Sequence, residues 1–196
     1  MANRRAFKYM IGGFLLVLID IHNFDILPDP LGYMMIASGI HQIGARQPNA
    51  FKAEITAYLL MALSVPTLFL SSQLLNPMQI NSTGWLVYGL SVTITNLILM
   101  YFVFRMLIHE VEYPIETAEK QNRSRKLMIV YMAISLSSAF IQPFLFHMKQ
   151  DIQSTIAMTT IVLTLAVHIA FIVHLRTLQK TFPIDLEKGY PIESPN

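Results

Sequence analysis

The chain has 196 residues, of which 54% are hydrophobic and 13% charged, and its mean hydropathy is +0.48. Soluble domains average about 25% charged residues, so this composition excludes an ordinary soluble protein and indicates a surface that faces lipid. The absence of cysteine excludes disulfides and thiolate metal sites. The formal net charge is only +2, without a basic stripe interleaved with aromatics, which argues against nucleic acid as a partner.

Six stretches are apolar and long enough, or nearly so, to form membrane-spanning helices, which need about 20 residues each. Residues 55–104 contain no charged residue and allow two spans, divided near Pro77. The second stretch is short, because its fifteen residues reach only ~23 Å as a helix. We therefore predict an all-α membrane protein, a single bundle of residues 1–196, with transmembrane spans at about 9–24, 31–45, 55–76, 85–104, 127–148 and 152–175.

The positions of lysine and arginine predict the orientation of this bundle. If the N-terminus is cytoplasmic, the inner segments are 1–8, 46–54, 105–126 and 176–196, and they contain thirteen of the fourteen basic residues. Only Lys149 falls outside them. Because lysine and arginine are enriched in cytoplasmic loops, both termini are expected in the cytoplasm.

An acidic turn joins the first two spans. Asp29 followed by Pro30 is typical of a helix start, with aspartate as the N-cap and proline at the first helical position. Small residues on the flanking spans permit close approach of two helix backbones. They are Gly12, Gly13, Gly32 and Gly39. The first two spans are therefore predicted to form a tight hairpin.

The turn and the outer ends of other spans hold the first candidate site. Ionisable groups inside a bilayer cost a few kcal/mol, so each is a candidate functional residue. Asp20 is the strongest, because it lies seven residues after Gly13 on the face expected to pack inward. Carboxylates with imidazoles could bind a cation or relay protons, or they could simply stabilise the hairpin. The candidate substrate or ion site comprises Asp20, His22, Asp25, Asp29, His147 and Asp151.

A second candidate site is a polar stripe on the sixth span, whose members share one helical face. Its functional interpretation is a polar path or pocket inside the bundle, and the alternative is interhelical hydrogen bonding worth ~0.6 kcal/mol per contact. The predicted interior polar path comprises His41, Asn96, Thr160, Thr164 and His168. Tyr131 is expected to be an anchor at the inner membrane interface, and His109 and His174 are expected to be ordinary interfacial residues.

The hairpin also carries a resemblance. Asp20-Ile21, followed by residues 25–33 with the sequence DILPDPLGY, resembles the signature of a family of small, uncharacterised bacterial polytopic membrane proteins. In that family an apolar span runs into aspartate, then Ile/Leu-Leu-Pro-Asp-x-x-Gly-Tyr and a second span. The resemblance implies the bacterial plasma membrane and assigns no activity. The overall plan is also similar in shape to the substrate-binding subunits of energy-coupling-factor vitamin transporters, although the first span lacks the Ala-x-x-x-Ala pair of that family.

Three functions are compatible with these patterns. The favoured one is small-solute or ion binding and transport, with the acidic and histidine cluster as the outer recognition group. The second is a non-catalytic membrane partner or regulatory subunit, held to another protein by helix faces or by the 105–126 loop. The third is a metal-dependent intramembrane enzyme, which is the least favoured because no hydrolase, zinc-protease or nucleotide-binding motif occurs. The sequence predicts no cofactor and leaves a metal open.

Overall fold

The computed structural model describes residues 4–20, 29–44, 48–69, 83–109, 118–145 and 150–181, and all of these ranges are helical. The helices are α1 (Arg4–Asp20), α2 (Asp29–Gly44), α3 (Pro48–Phe69), α4 (Thr83–His109), α5 (Ala118–Leu145) and α6 (Gln150–Thr181). The predicted all-α fold with six helices is confirmed for these ranges.

Several helices extend beyond the apolar stretches. α4 ends at His109, and α5 begins at Ala118 rather than near Leu127. Lysine, arginine and glutamate are good helix formers, so the charged flanks continue the helices instead of ending them. The predicted 105–126 loop is therefore helical at both ends, and its middle, residues 110–117, lies outside the described residues.

Three of the helices are long and apolar enough to cross a membrane, which fits a polytopic membrane protein. The segments are Val87–His109, Gln121–Ile141 and Gln150–Lys180. α1 and α2 have 17 and 16 residues and rise only ~26 and ~24 Å. Large apolar side chains such as Phe140 (71% exposed) and Met158 (66%) cover the outside of α5 and α6. Lipid, and not water, suits such a surface.

The six helices form a closed ring. Each helix packs on the next in sequence, and α6 packs on α1. The last turn of α6 meets the first turn of α1. There the Arg4 side chain donates a hydrogen bond to the backbone carbonyl oxygen of Gln179, and the Gln179 side-chain amide donates one to the backbone carbonyl oxygen of Arg4, both at 3.3 Å. Both ends of the described chain thus lie at one end of the ring, here called the termini end. The opposite end, which carries Asp20 and Asp29, is called the hairpin end.

Glycines set the close packing of α1 against α2. A Cβ atom on Gly13 would lie 2.5 Å from the carbonyl oxygen of Gly32. A Cβ atom on Gly39 would lie 2.7 Å from the carbonyl oxygen of Ala6. Because no side chain fits at such distances, the two backbones touch directly. The predicted tight packing of the first two helices is confirmed, and α2 begins at Asp29 as its sequence predicted.

A tyrosine supports α3 where proline interrupts its backbone hydrogen bonding. Pro66 lies inside α3 and has no N–H to donate to the preceding turn. The Ser64 hydroxyl donates to the Leu60 carbonyl oxygen at 2.7 Å. From α4, the Tyr88 hydroxyl donates to the Leu63 carbonyl oxygen. The α3–α4 contact therefore includes a hydrogen bond beside the interruption.

The hydrophobic core fills the termini end of the ring. At its centre lies a cluster of rings, Phe14, Phe104, Tyr131 and Phe171, which we call the aromatic plug. The centroids of Phe104 and Phe171 are 4.9 Å apart and those of Phe14 and Phe171 are 5.1 Å apart, both edge to face. This geometry adds favourable quadrupole interactions to the burial of the rings. At this level the described core consists of packed rings and aliphatic side chains.

Basic residues also lie at the termini end. Each lysine and arginine whose side chain is described sits there, on the first turns of α1, α3 and α5 or the last turns of α4 and α6. They are Arg4, Arg5, Lys8, Lys52, Arg105, Arg123, Arg125, Lys126, Arg176 and Lys180. The termini end of the ring is thus basic at its rim, and its interior is mostly apolar and includes the buried pair of Ser124 and His174.

Candidate functional site

A pocket of about 400 Å³ lies above the aromatic plug, toward the hairpin end. Its described lining comes from α1, α2, α4, α5 and α6. Apolar residues such as Val17, Leu97 and Leu165 form part of the wall, and hydroxyl, amide, imidazole and carboxyl groups form the rest. A mostly apolar pocket of this size with a few polar groups is typical of a small-molecule site.

Two groups of residues that the sequence predicted separately meet in this pocket. Asp29, predicted for the outer site, lines it together with four of the five residues of the predicted interior path. Those four are Asn96, Thr160, Thr164 and His168. The three on α6 share one face because they are spaced four and four residues apart. The ring arrangement places that face opposite Asn96 of α4 and beside Asp29 of α2.

His41, also predicted for the interior path, lies elsewhere. Its side chain is 60% exposed, and its Nδ1 atom is 3.1 Å from Oε1 of Glu54 on α3. The face of α2 that buries Tyr33, Ile36 and Ile40 is the face that packs in the bundle. His41 is the next residue after the buried Ile40, so its side chain projects from a different face of α2. It forms an exposed pair with Glu54 at the contact between α2 and α3.

The remaining predicted outer residues are not brought into the described pocket. Asp151 is exposed on the first turn of α6, where its carbonyl oxygen accepts the Ser154 and Thr155 hydroxyls, both at 2.9 Å. His22, Asp25 and His147 lie outside the described residues, as does the side chain of Asp20, whose backbone ends α1. Their roles stay predictions. In the ranges that the structure describes, no three histidine or carboxylate side chains cluster as metal ligands would.

A chain of hydrogen bonds forms the floor of the pocket. Oη of Tyr131 lies 2.7 Å from Nε2 of His168, and Nδ1 of His168 lies 2.8 Å from the carbonyl oxygen of Thr164. A carbonyl oxygen only accepts, so Nδ1 carries a proton and donates it. In the neutral imidazole Nε2 then accepts, and the Tyr131 hydroxyl is its donor. The Tyr131 oxygen keeps its own lone pairs for a further donor.

Two residues of this floor are not among the predicted site residues. Tyr131, expected at the membrane interface, is only 1% exposed because its face of α5 turns into the ring. Ser135, one turn further, is 8% exposed. Its Oγ atom lies beside the Tyr131 hydroxyl and has no hydrogen-bond partner of normal geometry among the described residues. The sequence contained a pattern that could have predicted them. Tyr131, Ser135 and Ser138 have the same helical spacing as the polar stripe on α6, which places them on one face of α5.

A further hydrogen bond joins α5 and α6. The Oγ atom of Ser138 lies 3.4 Å from the hydroxyl oxygen of Thr164 across the pocket wall. At the termini end, Oγ of Ser124 lies 2.7 Å from Nε2 of His174, and both residues are buried. His174 was expected at the membrane interface, but it lies on the face of α6 that packs against α5. These bonds hold together a helix pair whose outer faces are apolar.

The electrostatic character of the pocket follows from its lining. Asp29 is the only residue with a full charge at neutral pH among the described lining residues, and its charge also acts on Tyr88 of α4. The described basic side chains lie at the opposite end of the ring. The charge that the described lining contributes to the pocket is therefore negative, and a negative charge favours cations and disfavours anions.

No family model, no curated protein and no solved structure matches this chain. The chemistry of the site therefore rests on its own geometry.

Proposed function

We propose that this chain is a six-span protein of the bacterial plasma membrane, with both termini cytoplasmic, that binds a small solute or ion for transport. The observation that carries the proposal is the division of the ring into two halves. The hairpin end contains a polar-lined pocket of about 400 Å³, and the termini end is filled by the aromatic plug. Such a site admits a solute from the outer side and blocks its direct passage.

The six-span arrangement rests on the ring itself. α3 packs on α4, α1 packs on α6, and α2 lies between α1 and α3. This closed ring supports the proposal that α1, α2 and α3 share the membrane layer of the three helices that are long enough to cross it. Local bilayer thinning and neighbouring helices can accommodate short spans. The preference of lysine and arginine for the cytoplasmic side supports a cytoplasmic location of the basic termini end. The bacterial location rests on the resemblance of the hairpin motif.

The roles of individual residues follow from their positions. Tyr131 and His168 form the polar floor, and Asn96 offers two donors and an acceptor from the wall. Asp20 ends α1 one turn beyond Val17, a lining residue, and keeps its predicted role as the outer recognition group. A purely scaffolding membrane partner would need only a packed interior, so the polar pocket favours solute binding over that alternative.

Thermal unfolding of the purified protein in detergent tests this function. A panel of amines, carboxylates, sugars, amino acids and nucleobases is added singly, and a bound solute raises the unfolding temperature; at one hundred times its Kd it stabilises by about 2.7 kcal/mol. Thr160→Trp fills the pocket and is expected to abolish the effect. Thr159→Trp is the matched control, because Thr159 is exposed on the same turn and its hydroxyl bonds only its own helix.

The proposal fails if no solute class stabilises the wild-type protein, or if the stabilisation persists unchanged in Thr160→Trp. In cells, Asp20→Asn is expected to reduce uptake of the solute found in the panel while leaving the amount of protein in the membrane unchanged.

A further inference from the structure

On the basis of the proposed function, we infer that the pocket binds a compact organic cation. The cation has a flat, apolar ring system and a charged group that carries N–H donors. Three independent features of the described lining lead to this class of ligand: its charge, the hydrogen-bonding state of its floor, and a wall made of one tyrosine and several aliphatic side chains.

The charge of the lining selects against anions. Asp29 supplies a carboxylate, and no lysine or arginine lies among the described lining residues. An anion in the pocket would be repelled by this carboxylate, and the described lining offers it no lysine or arginine. Because unlike charges attract and like charges repel, the carboxylate favours a bound cation over a bound anion.

The floor offers hydrogen-bond acceptors. The Tyr131 hydroxyl already donates to His168, so toward a ligand its oxygen can only accept. The Ser135 hydroxyl is buried beside it without a partner of normal geometry among the described residues. The Ser135 O–H points to the Tyr131 oxygen, so the lone pairs of Oγ remain to be satisfied, and a ligand N–H can donate to them. The floor therefore fits a ligand that brings donors.

An aromatic ring adds to the recognition. Tyr33 of α2 lines the pocket, whereas Tyr131 turns its oxygen to the floor and packs its ring in the aromatic plug. Ring faces attract cations and stack on flat bodies. The aliphatic walls, among them Leu97 and Leu165, exclude water from such a body. Amidinium, guanidinium and heteroaromatic ammonium compounds share these properties.

Three probes of nearly identical shape separate charge from fit. Benzamidinium is a planar cation with N–H donors, benzamide is its neutral counterpart and benzoate is its anion. Calorimetric titration of wild-type protein in lipid nanodiscs is expected to show benzamidinium binding at least about tenfold more tightly than benzamide, since a charge-assisted hydrogen bond adds that much. Benzoate is expected to bind most weakly.

Two carboxylate variants locate the effect. Asp29→Asn removes the charge but keeps a good helix N-cap, so the protein is expected to fold and to bind benzamidinium no better than benzamide. Asp151→Asn removes an exposed carboxylate at the same end of the ring and is expected to leave all three affinities unchanged. Ser135→Ala is expected to weaken benzamidinium binding several-fold.

The inference is overturned if benzoate binds as tightly as benzamidinium, or if the preference for benzamidinium survives in Asp29→Asn. Neither result contradicts the proposed solute binding in the pocket, provided that Thr160→Trp still abolishes binding of whichever probe binds most tightly. If none of the three probes binds but another panel solute does, the ligand class is wrong and the pocket function holds. If no solute binds at all, both are wrong.

Discussion

The hydroxyl of Tyr131 and Nε2 of His168 lie 2.7 Å apart, and their rings meet edge to face with centroids 5.1 Å apart. This pair joins α5 to α6 at the level where the pocket ends and the aromatic plug begins. Tyr131 contributes to both halves of the ring. Its aromatic ring packs on Phe104 and Phe171 in the plug, and its hydroxyl oxygen forms part of the pocket floor.

The first prediction concerns this pair. Tyr131→Phe leaves the buried imidazole without its donor and is expected to destabilise the protein by about 1–3 kcal/mol. A double-mutant cycle with His168→Leu, followed by denaturation in detergent, should show a coupling of about 0.5–3 kcal/mol. Tyr101→Phe, at an exposed tyrosine of α4, is the control and should be close to neutral. Additive effects of the two substitutions would contradict a direct bond.

The second prediction concerns the contact between α1 and α2. Gly13→Ala places a Cβ atom against the backbone of α2 and is expected to cost about 1–3 kcal/mol, because the two helices must separate. Gly89→Ala is the matched control, since a Cβ atom there would have no neighbouring atom within 4 Å. It should be neutral or slightly stabilising, as alanine favours helix over glycine. Equal effects of the two variants in thermal unfolding would argue against close backbone packing.

The third prediction concerns the buried pair at the termini end. Ser124→Ala removes the partner of His174 Nε2, and Nδ1 of the same ring already has no partner among the described residues. A cost of about 1–3 kcal/mol is expected from the unsatisfied imidazole. Ser137→Ala, on an exposed face of the same helix, should change stability by less than about 0.5 kcal/mol. Comparable unfolding temperatures for the two variants would contradict the buried bond.

The fourth prediction tests how the chain crosses the membrane. Because the sequence has no cysteine, single cysteines can be introduced without background and labelled in cells with a membrane-impermeant maleimide. Cysteines at Asn23, Ser82 and Met148 should react in intact cells, and those at Gln47 and Asn122 only after permeabilisation. If α4, α5 and α6 were the only spans, Asn23 and Gln47 would label from the same side, which would refute the six-span arrangement.

Much of the fold was readable from the sequence because the signals are local. Long uncharged stretches such as residues 55–104 dictate apolar helices, and Asp29 marks the start of α2 since aspartate caps a helix within one turn. The stripe of Thr160, Thr164 and His168 was visible for the same reason, because helical spacing alone places these residues on one face. These features need no knowledge of neighbouring helices.

The composition and order of the residues, taken alone, determined an apolar, all-helical chain with its basic residues gathered on one set of helix ends. Only the tertiary structure decided which helix faces look inward. It turned Tyr131 and Ser135 into the floor of a pocket and left His41 on the surface, since the rotation of each helix depends on what its neighbours pack against. Closure of α6 onto α1 is likewise a contact between distant parts of the chain, and it brings the pocket-lining face of α6 close to Val17 of α1.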